Sequence, residues 1–408
     1  APCPIPSIDP DKGVTVGCTD WELQKNGTMG RQITVDETYH TIAFVWTFMD
    51  RSSSPVGRTT KYEAYYPDFG AFGGGAGGIF VGPVPLGPEW AGFATIAHDT
   101  AGLNFVAFHW SQDTSSLPIR PYVLKDLVRG LGAFAGWGGD FGIGRLPESL
   151  WTPYSLDPAD EWIWPQIAHT PTGEINHLVI RNNHYNRGDF LYTRQVAKVW
   201  QPAFVFGTGG LISPTVVASR TSQRVALCWT GGRGDGTANN CSISREHYPS
   251  WGHLDNDLYY MLSNDGGATW GACQNVTMRP DSLPGGFAPA AHVTALFDAA
   301  DNLHLVWSAM QWDGLSGGRN FSGKLFHWDE ASGLTRTAVG GVWTPPNCTG
   351  GGFELNVSQP QLSECDGKLY LTFVQFAPVF LGRGDDCANW AVTQQNGAAN
   401  GDIYVTVS

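Results

Sequence analysis

The sequence is poor in charged residues, and those it has are mostly acidic. Asp, Glu, Lys and Arg make up 15% of the 408 residues, and the formal net charge is −13. No run of lysine or arginine occurs, so we expect no nucleic-acid partner. No apolar run reaches the roughly 18 residues that a helix needs to cross a bilayer, so we expect no membrane insertion.

Helix-favouring stretches are also scarce. Gly (52) and Pro (26) interrupt the chain throughout, and both destabilise helix interiors. Short apolar stretches between turn residues remain, which is typical of an all-β protein. Hydrophobic residues make up 42% of the chain, enough for a sizeable core, and we interpret residues 1–408 as one domain.

One pattern recurs six times along the chain and predicts the architecture. Each copy, here called a repeat, has a strand A, a turn, a strongly apolar strand B, a loop and a Tyr/Phe-rich strand C. In the third repeat these strands lie at 164–167, 177–180 and 190–193. The strand order recurs about every 50–75 residues, which is the length expected of one propeller blade with its loops. Six copies predict a six-bladed β-propeller. The repeats cover residues 31–66, 94–126, 164–196, 213–277, 288–339 and 358–408.

The two ends of the chain are expected to meet. Residues 1–30 precede the first repeat, and the chain ends on strand C of the sixth. We expect an N-terminal strand around residues 19–23 to complete the last blade and close the ring. The chain opens on Ala1, Pro2 and Cys3 without a charged or apolar leader, which fits either a removed signal peptide or a chain without one.

A turn motif follows strand C of the fourth repeat. The octapeptide from Ser263 to Trp270 contains Asp265, Gly267 and Thr269 at fixed spacing. It resembles the Asp box, S-x-D-x-G-x-T-W, of sialidases and other propellers with bacterial-neuraminidase repeats. The resemblance implies a sialidase-like propeller, with this turn between strands C and D on the face away from the active site. An Asp carboxylate that accepts backbone N–H groups and a Gly with positive φ suit such a turn.

The same resemblance implies what an active site would need. A sialidase uses three arginines, an acid/base Asp and a Tyr nucleophile activated by Glu, with an Arg-Ile-Pro motif near the first blade. The nearest strings here, 119–121 (Ile-Arg-Pro) and 145–147 (Arg-Leu-Pro), lie too far along the chain. The catalytic motif is therefore not matched, and the sequence assigns no catalytic residue.

The cysteines favour an oxidising compartment. There are eight, and none forms a CxxC pair, so we expect no zinc site and no required cofactor. An even number in a chain of this kind indicates disulfides and export, either secreted or at the cell surface. The pairings expected from short loop closure, with the last pair left over, are Cys3–Cys18, Cys228–Cys241, Cys365–Cys387 and Cys273–Cys348.

Six Asn-x-Ser/Thr sequons also fit an exported protein. If the source organism makes N-glycans, we expect all six to be surface positions. They lie at Asn26, Asn240, Asn275, Asn320, Asn347 and Asn356.

The candidate ligand-binding residues lie in or beside the B–C loops. In a propeller these loops share one face with the blade-to-blade connections, the usual place for ligands. Three of them contain Arg-Gly-Asp, ending at Asp189, Asp235 and Asp385. The candidates are Arg51, Arg181, His184, Tyr185, Arg187, Asp189, Arg233, Asp235, Trp312, Asp313, Arg383 and Asp385.

These loops allow several interpretations. Converging arginines can hold a carboxylate, Arg-Gly-Asp can be an adhesion signal, and Asp-rich loops can bind Ca²⁺. Alternatively, Arg and Asp simply pair across a loop that related blades reuse. We predict a secreted recognition or assembly module that binds a glycan, an extracellular protein or a copy of itself. The alternative is a carbohydrate-active enzyme, either a sialidase-like hydrolase or a polysaccharide lyase using His184 and Tyr185.

Overall fold

The computed structural model shows an all-β chain. It divides into two compact units, Ala1–Phe206 and Gly207–Ser408, and each contains three of the predicted repeats. The structure describes residues 8–9, 13–20, 24, 27–28, 30–50, 57–73, 78–81, 90–111, 118–136, 144–154, 159–182, 188–209, 213–232, 256–278, 286–312, 319–340, 355, 357–376 and 401–408.

The strands of the first unit form antiparallel meanders in chain order. A short ribbon comes first, with β1 at Ile8–Asp9 and β2 at Gly13–Val14. Repeat 1 contains β3 (Ile33–Asp36), β4 (Thr41–Met49), β5 (Arg58–Tyr66), β6 (Ala71–Phe72) and β7 (Ile79–Val81). Repeat 2 contains β8 (Trp90–His98), β9 (Asn104–Ser111), β10 (Arg120–Asp126) and β11 (Phe134–Gly136). Repeat 3 contains β12 (Glu161–His169), β13 (Ile175–Asn182), β14 (Gly188–Val196), β15 (Val199–Trp200) and β16 (Phe204–Gly209). Two short 3-10 helices lie at Pro67–Phe69 and Glu148–Leu150.

The second unit continues the same order. Repeat 4 contains β17 (Thr215–Ala218), β18 (Val225–Gly232), β19 (Asn256–Ser263) and β20 (Gln274–Asn275). Repeat 5 contains β21 (Phe287–Phe297), β22 (Leu303–Trp312), β23 (Arg319–Asp329) and β24 (Thr335–Val339). Repeat 6 contains β25 (Val357–Cys365), β26 (Lys368–Phe376) and β27 (Gly401–Val407).

The all-β class and the six A–B–C strand sets are confirmed. In every repeat strand A pairs with B and B with C, all antiparallel. Repeats 1 and 2 share one nine-stranded sheet, joined by a parallel bridge between Arg58 and Trp90. A closed ring of six blades and a single domain over 1–408 stay predictions.

Strand B is the most deeply buried strand in repeats 2, 3 and 4, as predicted, whereas in repeats 1 and 6 it is only partly buried. Every residue of β9 and of β18 is buried. The hydrophobic cores lie between consecutive repeats: one core joins repeats 1 and 2, the next joins repeats 2 and 3. In the second unit one core joins repeats 4 and 5 and another joins repeats 5 and 6. Within each unit, therefore, successive repeats pack face to face, and strands β9 and β18 are covered on both faces.

Strand A carries a β-bulge at the same place in four repeats. The A–B register shifts after Gly92, Ile163, Pro289 and Ser358. Three bulges hold a residue other than Gly at positive φ, about 50° at Phe93, Trp164 and Gln359. Proline follows Trp164 and Gln359, and it suits a bulge because it has no N–H to give to the ladder. In repeats 3, 5 and 6 the recurring proline therefore lies inside strand A, which begins earlier than the sequence pattern predicted, whereas in repeat 4 Pro214 precedes β17.

Polar side chains at these bulges join consecutive repeats. Thr95 Oγ1 donates to the carbonyl of Pro165 at 3.2 Å, and Thr230 Oγ1 donates to that of Ala290 at 3.0 Å. Asn256 Nδ2 donates to the carbonyl of Pro289 at 3.2 Å. The carbonyls that the bulges remove from the A–B ladder thus find donors on the preceding repeat.

The octapeptide turn in repeat 4 lies between strands C and D, as its resemblance to the Asp box implied. Asp265 Oδ1 accepts the backbone N–H of Thr269 at 2.8 Å, and Asp265 Oδ2 accepts its hydroxyl at 2.6 Å. Ser263 Oγ accepts the N–H of Gly267, which has a φ of 85°. Trp270 is partly buried. Desolvation works to raise the pKa of Asp265, but hydrogen bonds from Thr269 and Ser263 outweigh it and lower the pKa to about 2.

Two predicted disulfides are wrong. Cys228 is a buried free thiol and Cys365 an exposed free thiol, so neither Cys228–Cys241 nor Cys365–Cys387 forms. Cys228 lies inside β18 among core side chains, where burial rather than loop closure decides its state. Cys18 and Cys273 are disulfide-bonded, but their expected partners Cys3 and Cys348 lie outside the described residues, as do Cys241 and Cys387.

The surface position predicted for Asn275 is also wrong. Its side chain is only 4% exposed. The amide nitrogen donates to Asp257 at 2.8 Å, so the atom that would carry a glycan is buried and bonded. The side chain of Asn320 is not described, and the other sequons, Asn26, Asn240, Asn347 and Asn356, lie outside the described residues.

The N-terminal segment contacts the first repeat. Asp20 donates its backbone N–H to Met49 at 2.9 Å, and Thr19 Oγ1 accepts the Met49 N–H at 3.0 Å. In the described part of the sixth repeat, β27 is the outermost strand of a three-stranded sheet.

No helix among the described residues is long and apolar enough to cross a membrane.

His177 is an unusual core residue. It lies fully buried in β13, against Trp200, and within the described chain neither ring nitrogen has a hydrogen-bond partner. Burial lowers the pKa of His177 to about 3. The folded chain thus keeps the ring neutral, whereas the unfolded chain protonates it below about pH 6.5.

We expect His177→Leu to stabilise the chain by about 1 kcal/mol near pH 7.5, because it removes two buried polar atoms without bonds. The gain should increase in acid. Between about pH 6.5 and 3 the unfolded chain binds a proton on His177 and the folded chain does not, so acid lowers the free energy of unfolding of the unchanged chain but not, through this residue, that of the variant. Urea unfolding at pH 7.5 and 5.0 measures this, with the exposed His40→Leu as control. Destabilisation by His177→Leu at both pH values would show that the ring makes a needed polar contact.

Asp265→Ala should destabilise the second unit by about 1 kcal/mol, since it removes the acceptor for Thr269 and Ser263. Thermal unfolding measures the loss. Asp68→Ala, at an exposed carboxylate paired with exposed His40, is the matched control. Equal effects of the two variants would mean that the turn does not depend on its Asp.

The thiols should react in a fixed order. Cys365 should be alkylated in the folded chain, and Cys228 only after unfolding, because burial protects it and raises the pKa of its thiol. Cys18 and Cys273 should react only after reduction. Peptide mapping after alkylation checks each residue, and protection of Cys365 in the unfolded, unreduced chain would restore the sequence-based pairing.

Candidate functional site

The B–C end of the first unit brings three buried arginines to one side of neighbouring sheets. Arg58 begins β5, Arg120 begins β10 and Arg181 lies near the end of β13. Each is 5–7% exposed. Strand B ends where the B–C loop starts, and strand C begins where that loop ends. The antiparallel meander therefore places these three residues at the same end of their sheets.

Arg58 is held by the next repeat. Its Nε donates to the carbonyl of Ala91 at 2.7 Å, and burial lowers its pKa to about 10. The guanidinium carbon lies 5.1 Å from the ring centroid of Trp90 and 4.9 Å from that of Phe93. The side chain is therefore still charged near neutral pH and supports both aromatic rings by cation–π contact.

His109 is a positioned, neutral imidazole. Its Nδ1 accepts the backbone N–H of Trp164 at 3.1 Å, and its Nε2 faces Arg58. That nitrogen lies 3.4 Å from an Arg58 nitrogen. Burial, and then the charge of Arg58, lower the pKa of His109 well below its usual value. With 2% exposure, the ring joins repeats 2 and 3 and is not accessible to solvent.

Arg120 and Arg181 are also engaged within the protein. Arg120 donates to Glu148 at 2.9 Å and to the Asp160 carbonyl at 2.7 Å. Arg181 forms a close ion pair with Asp189 and lies 3.8 Å from an Asp160 carboxylate oxygen. It also donates to the Tyr154 carbonyl. Backbone carbonyls and carboxylates thus surround both guanidinium groups.

Of the predicted ligand-binding residues, the structure brings together Arg181 and Asp189. Their side chains are 5% and 16% exposed and pair across the B–C loop of repeat 3. A ligand-binding role for either stays a prediction. The backbone of Trp312 ends β22, but its side chain is not described. The other candidates lie outside the described residues: Arg51, His184, Tyr185, Arg187, Arg233, Asp235, Asp313, Arg383 and Asp385.

Trp90 is the surface feature that the loop-based search missed. It begins β8 and is 46% exposed. Among the described residues of the first unit, it is the exposed aromatic at the B–C end; Tyr39 and Phe69 lie at the turn end. Arg58 contacts its ring. An aromatic at the first position of strand A, next to a long loop, is the signal that could have indicated it.

No metal centre is formed by the residues the structure describes. None of their His, Cys, Asp and Glu side chains make a group of three or more that could hold an ion. Of the loop Asp residues suggested for Ca²⁺, Asp189 pairs with Arg181, and Asp235, Asp313 and Asp385 lie outside the described residues. Ca²⁺ binding therefore stays a prediction.

Comparison with known proteins gives weak structural similarity. No protein-family model matches the chain, and no curated protein matches its sequence. Similar solved structures include sialidases. The Trypanosoma rangeli sialidase has a TM-score of 0.49 and 10% identity, over 98% of this chain and 56% of that one.

Two other similar structures are carbohydrate-active enzymes. The polysaccharide lyase Uly1 has a TM-score of 0.46 and 12% identity over 95% of this chain and 92% of that one. The Penicillium chrysogenum α-L-arabinanase has a TM-score of 0.42 and 10% identity over 71% and 78%. These scores are too low to assign an activity, so function is inferred from the side chains.

Proposed function

We propose that this chain is an extracellular six-bladed β-propeller that recognises carbohydrate at the B–C end of its first unit. The six strand sets and the face-to-face cores within each unit support the propeller. The disulfide-bonded Cys18 and Cys273 support an oxidising, extracellular compartment.

The observation that carries the sugar-binding proposal is Trp90. A tryptophan that is 46% exposed, with its ring in contact with a buried, charged guanidinium, presents a rigid apolar plate to solvent. Apolar C–H faces of sugar rings stack on such plates, and tryptophan loses little conformational freedom on binding. Arg58 is fixed by Ala91, so the plate is organised before the ligand arrives.

Recognition is favoured over catalysis by the state of the described polar groups. A carbohydrate-active enzyme needs an accessible acid or base beside the bound sugar. At this end His109 is buried and neutral, and Arg120 and Arg181 are held by carboxylates and backbone carbonyls. None of these described groups is set up for proton transfer to a ligand at Trp90.

A glycan array probed with the full chain should show binding to one class of oligosaccharide. Trp90→Ala should weaken binding to the best array ligand at least about tenfold, close to 1.4 kcal/mol, because the stacking plate is lost. Trp90→Phe should retain part of the affinity. Isothermal titration with that oligosaccharide measures each value.

Phe69→Ala is the matched control. Phe69 is an exposed aromatic beyond the far end of β5, roughly 27 Å along the strand from Arg58. The Phe69→Ala variant should bind the oligosaccharide as tightly as the unchanged chain does. Thermal unfolding should show that all variants fold. Absence of any array ligand, or equal binding by Trp90→Ala, would contradict the proposal. Release of reducing ends or unsaturated uronates from polysaccharides would support the enzyme instead.

A further inference from the structure

A chain of three titratable side chains lies at the turn end of repeat 5, away from the B–C loops. Asp298 lies in the turn between β21 and β22, His304 is near the start of β22, and His327 is near the end of β23. His304 is 9% exposed and His327 is partly buried. Sequence reading gave no sign of this group, because its members are far apart in the chain.

The hydrogen bonds of the group are continuous. His304 Nε2 lies 3.0 Å from Asp298 Oδ2, and His304 Nδ1 lies 3.0 Å from His327 Nε2. The two ring planes differ by 10°, and their centroids are 5.2 Å apart. The centroid separation exceeds the nitrogen separation by about one ring width, so the rings lie edge to edge in nearly one plane. That geometry suits an N–H···N hydrogen bond.

These contacts fix the protons. The Asp298 carboxylate accepts, so His304 carries its proton on Nε2. Neutral His304 therefore has an acceptor at Nδ1, and His327 donates to it from Nε2. One added proton leaves both bonds in place, because a pair of rings with a single positive charge still has one donor and one acceptor between them. A second added proton makes both facing nitrogens donors, and the bond between the rings breaks.

The surrounding charges act mainly against protonation of the His327 ring. Burial lowers the pKa of His327; the charges of His304 and Arg336 act in the same direction, and Asp329 opposes them. Asp329 also accepts from Arg336 at 2.8 Å and from Ser332. From repeat 4, Arg224 pairs with Glu330 at 2.7 Å, so that carboxylate already has a cationic partner.

We propose that Asp298, His304 and His327 form an acid-sensitive latch that ties the A–B turn of repeat 5 to its strand C, holds through one added proton and opens on the second. The latch would let this end of the second unit loosen in an acidic environment.

The test is nitrogen NMR of the full chain with ¹⁵N-labelled histidine. At pH 7.5 a ¹⁵N–¹⁵N coupling should connect His304 Nδ1 with His327 Nε2, and it should persist while the pair takes up one proton. It should disappear when the pair takes up a second proton at lower pH. No coupling at pH 7.5, or a coupling that persists when both rings are protonated, would overturn the proposal.

His327→Gln provides a second readout, because the glutamine amide can donate without titrating. In this variant the doubly charged pair of rings that opens the latch cannot form. The acid-induced rise in the unfolding constant between pH 7.5 and 5 should therefore be at least roughly threefold smaller than in the unchanged chain. His40→Gln, at an exposed histidine paired with Asp68, should leave that rise unchanged; an equally large rise in His327→Gln would reject the latch.

Discussion

The structure depends on hydrogen bonds between consecutive repeats, in which side chains of one repeat donate to backbone carbonyls at the strand-A bulge of the next. A bulge removes carbonyls from the ladder, and a buried carbonyl without a donor costs about 1–3 kcal/mol. Here the donors come from the preceding repeat: Thr95 for Pro165, Thr230 for Ala290 and Asn256 for Pro289. Outside the bulges, Arg58 and Arg120 likewise donate to carbonyls of the following repeat, those of Ala91 and Asp160. Hydrophobic packing brings the sheets together, and these bonds fix their register.

This constraint also shapes the candidate site. In the sequence, arginines near the B–C loops suggest anion binding. In the structure, the buried arginines at this end donate to backbone carbonyls and carboxylates of the chain itself. Arg58 in particular joins repeats 1 and 2 and supports the ring of Trp90. Among the described residues at that end of the first unit, the exposed ring of Trp90 suits the apolar face of a sugar better than a carboxylate.

Periodicity was enough to predict the strands, because alternating and continuous apolar patterns depend on burial, which the fold enforces. The turn at Asp265 was predictable because its hydrogen bonds are local. The state of Cys228 was not, since it depends on packing inside β18. Trp90, His109 and Arg58 were missed because the search was restricted to loops, whereas these residues lie at strand ends and meet only through neighbouring repeats. The Asp298–His304–His327 group likewise exists only after the strands pair.

The most direct test is a crystal structure of the chain with the tightest-binding oligosaccharide from the array. The account predicts a sugar ring stacked on Trp90, while Arg58, Arg120 and Arg181 keep their bonds to Ala91, Asp160 and Asp189. A ligand bound instead through these arginines, with those internal bonds broken, would contradict it.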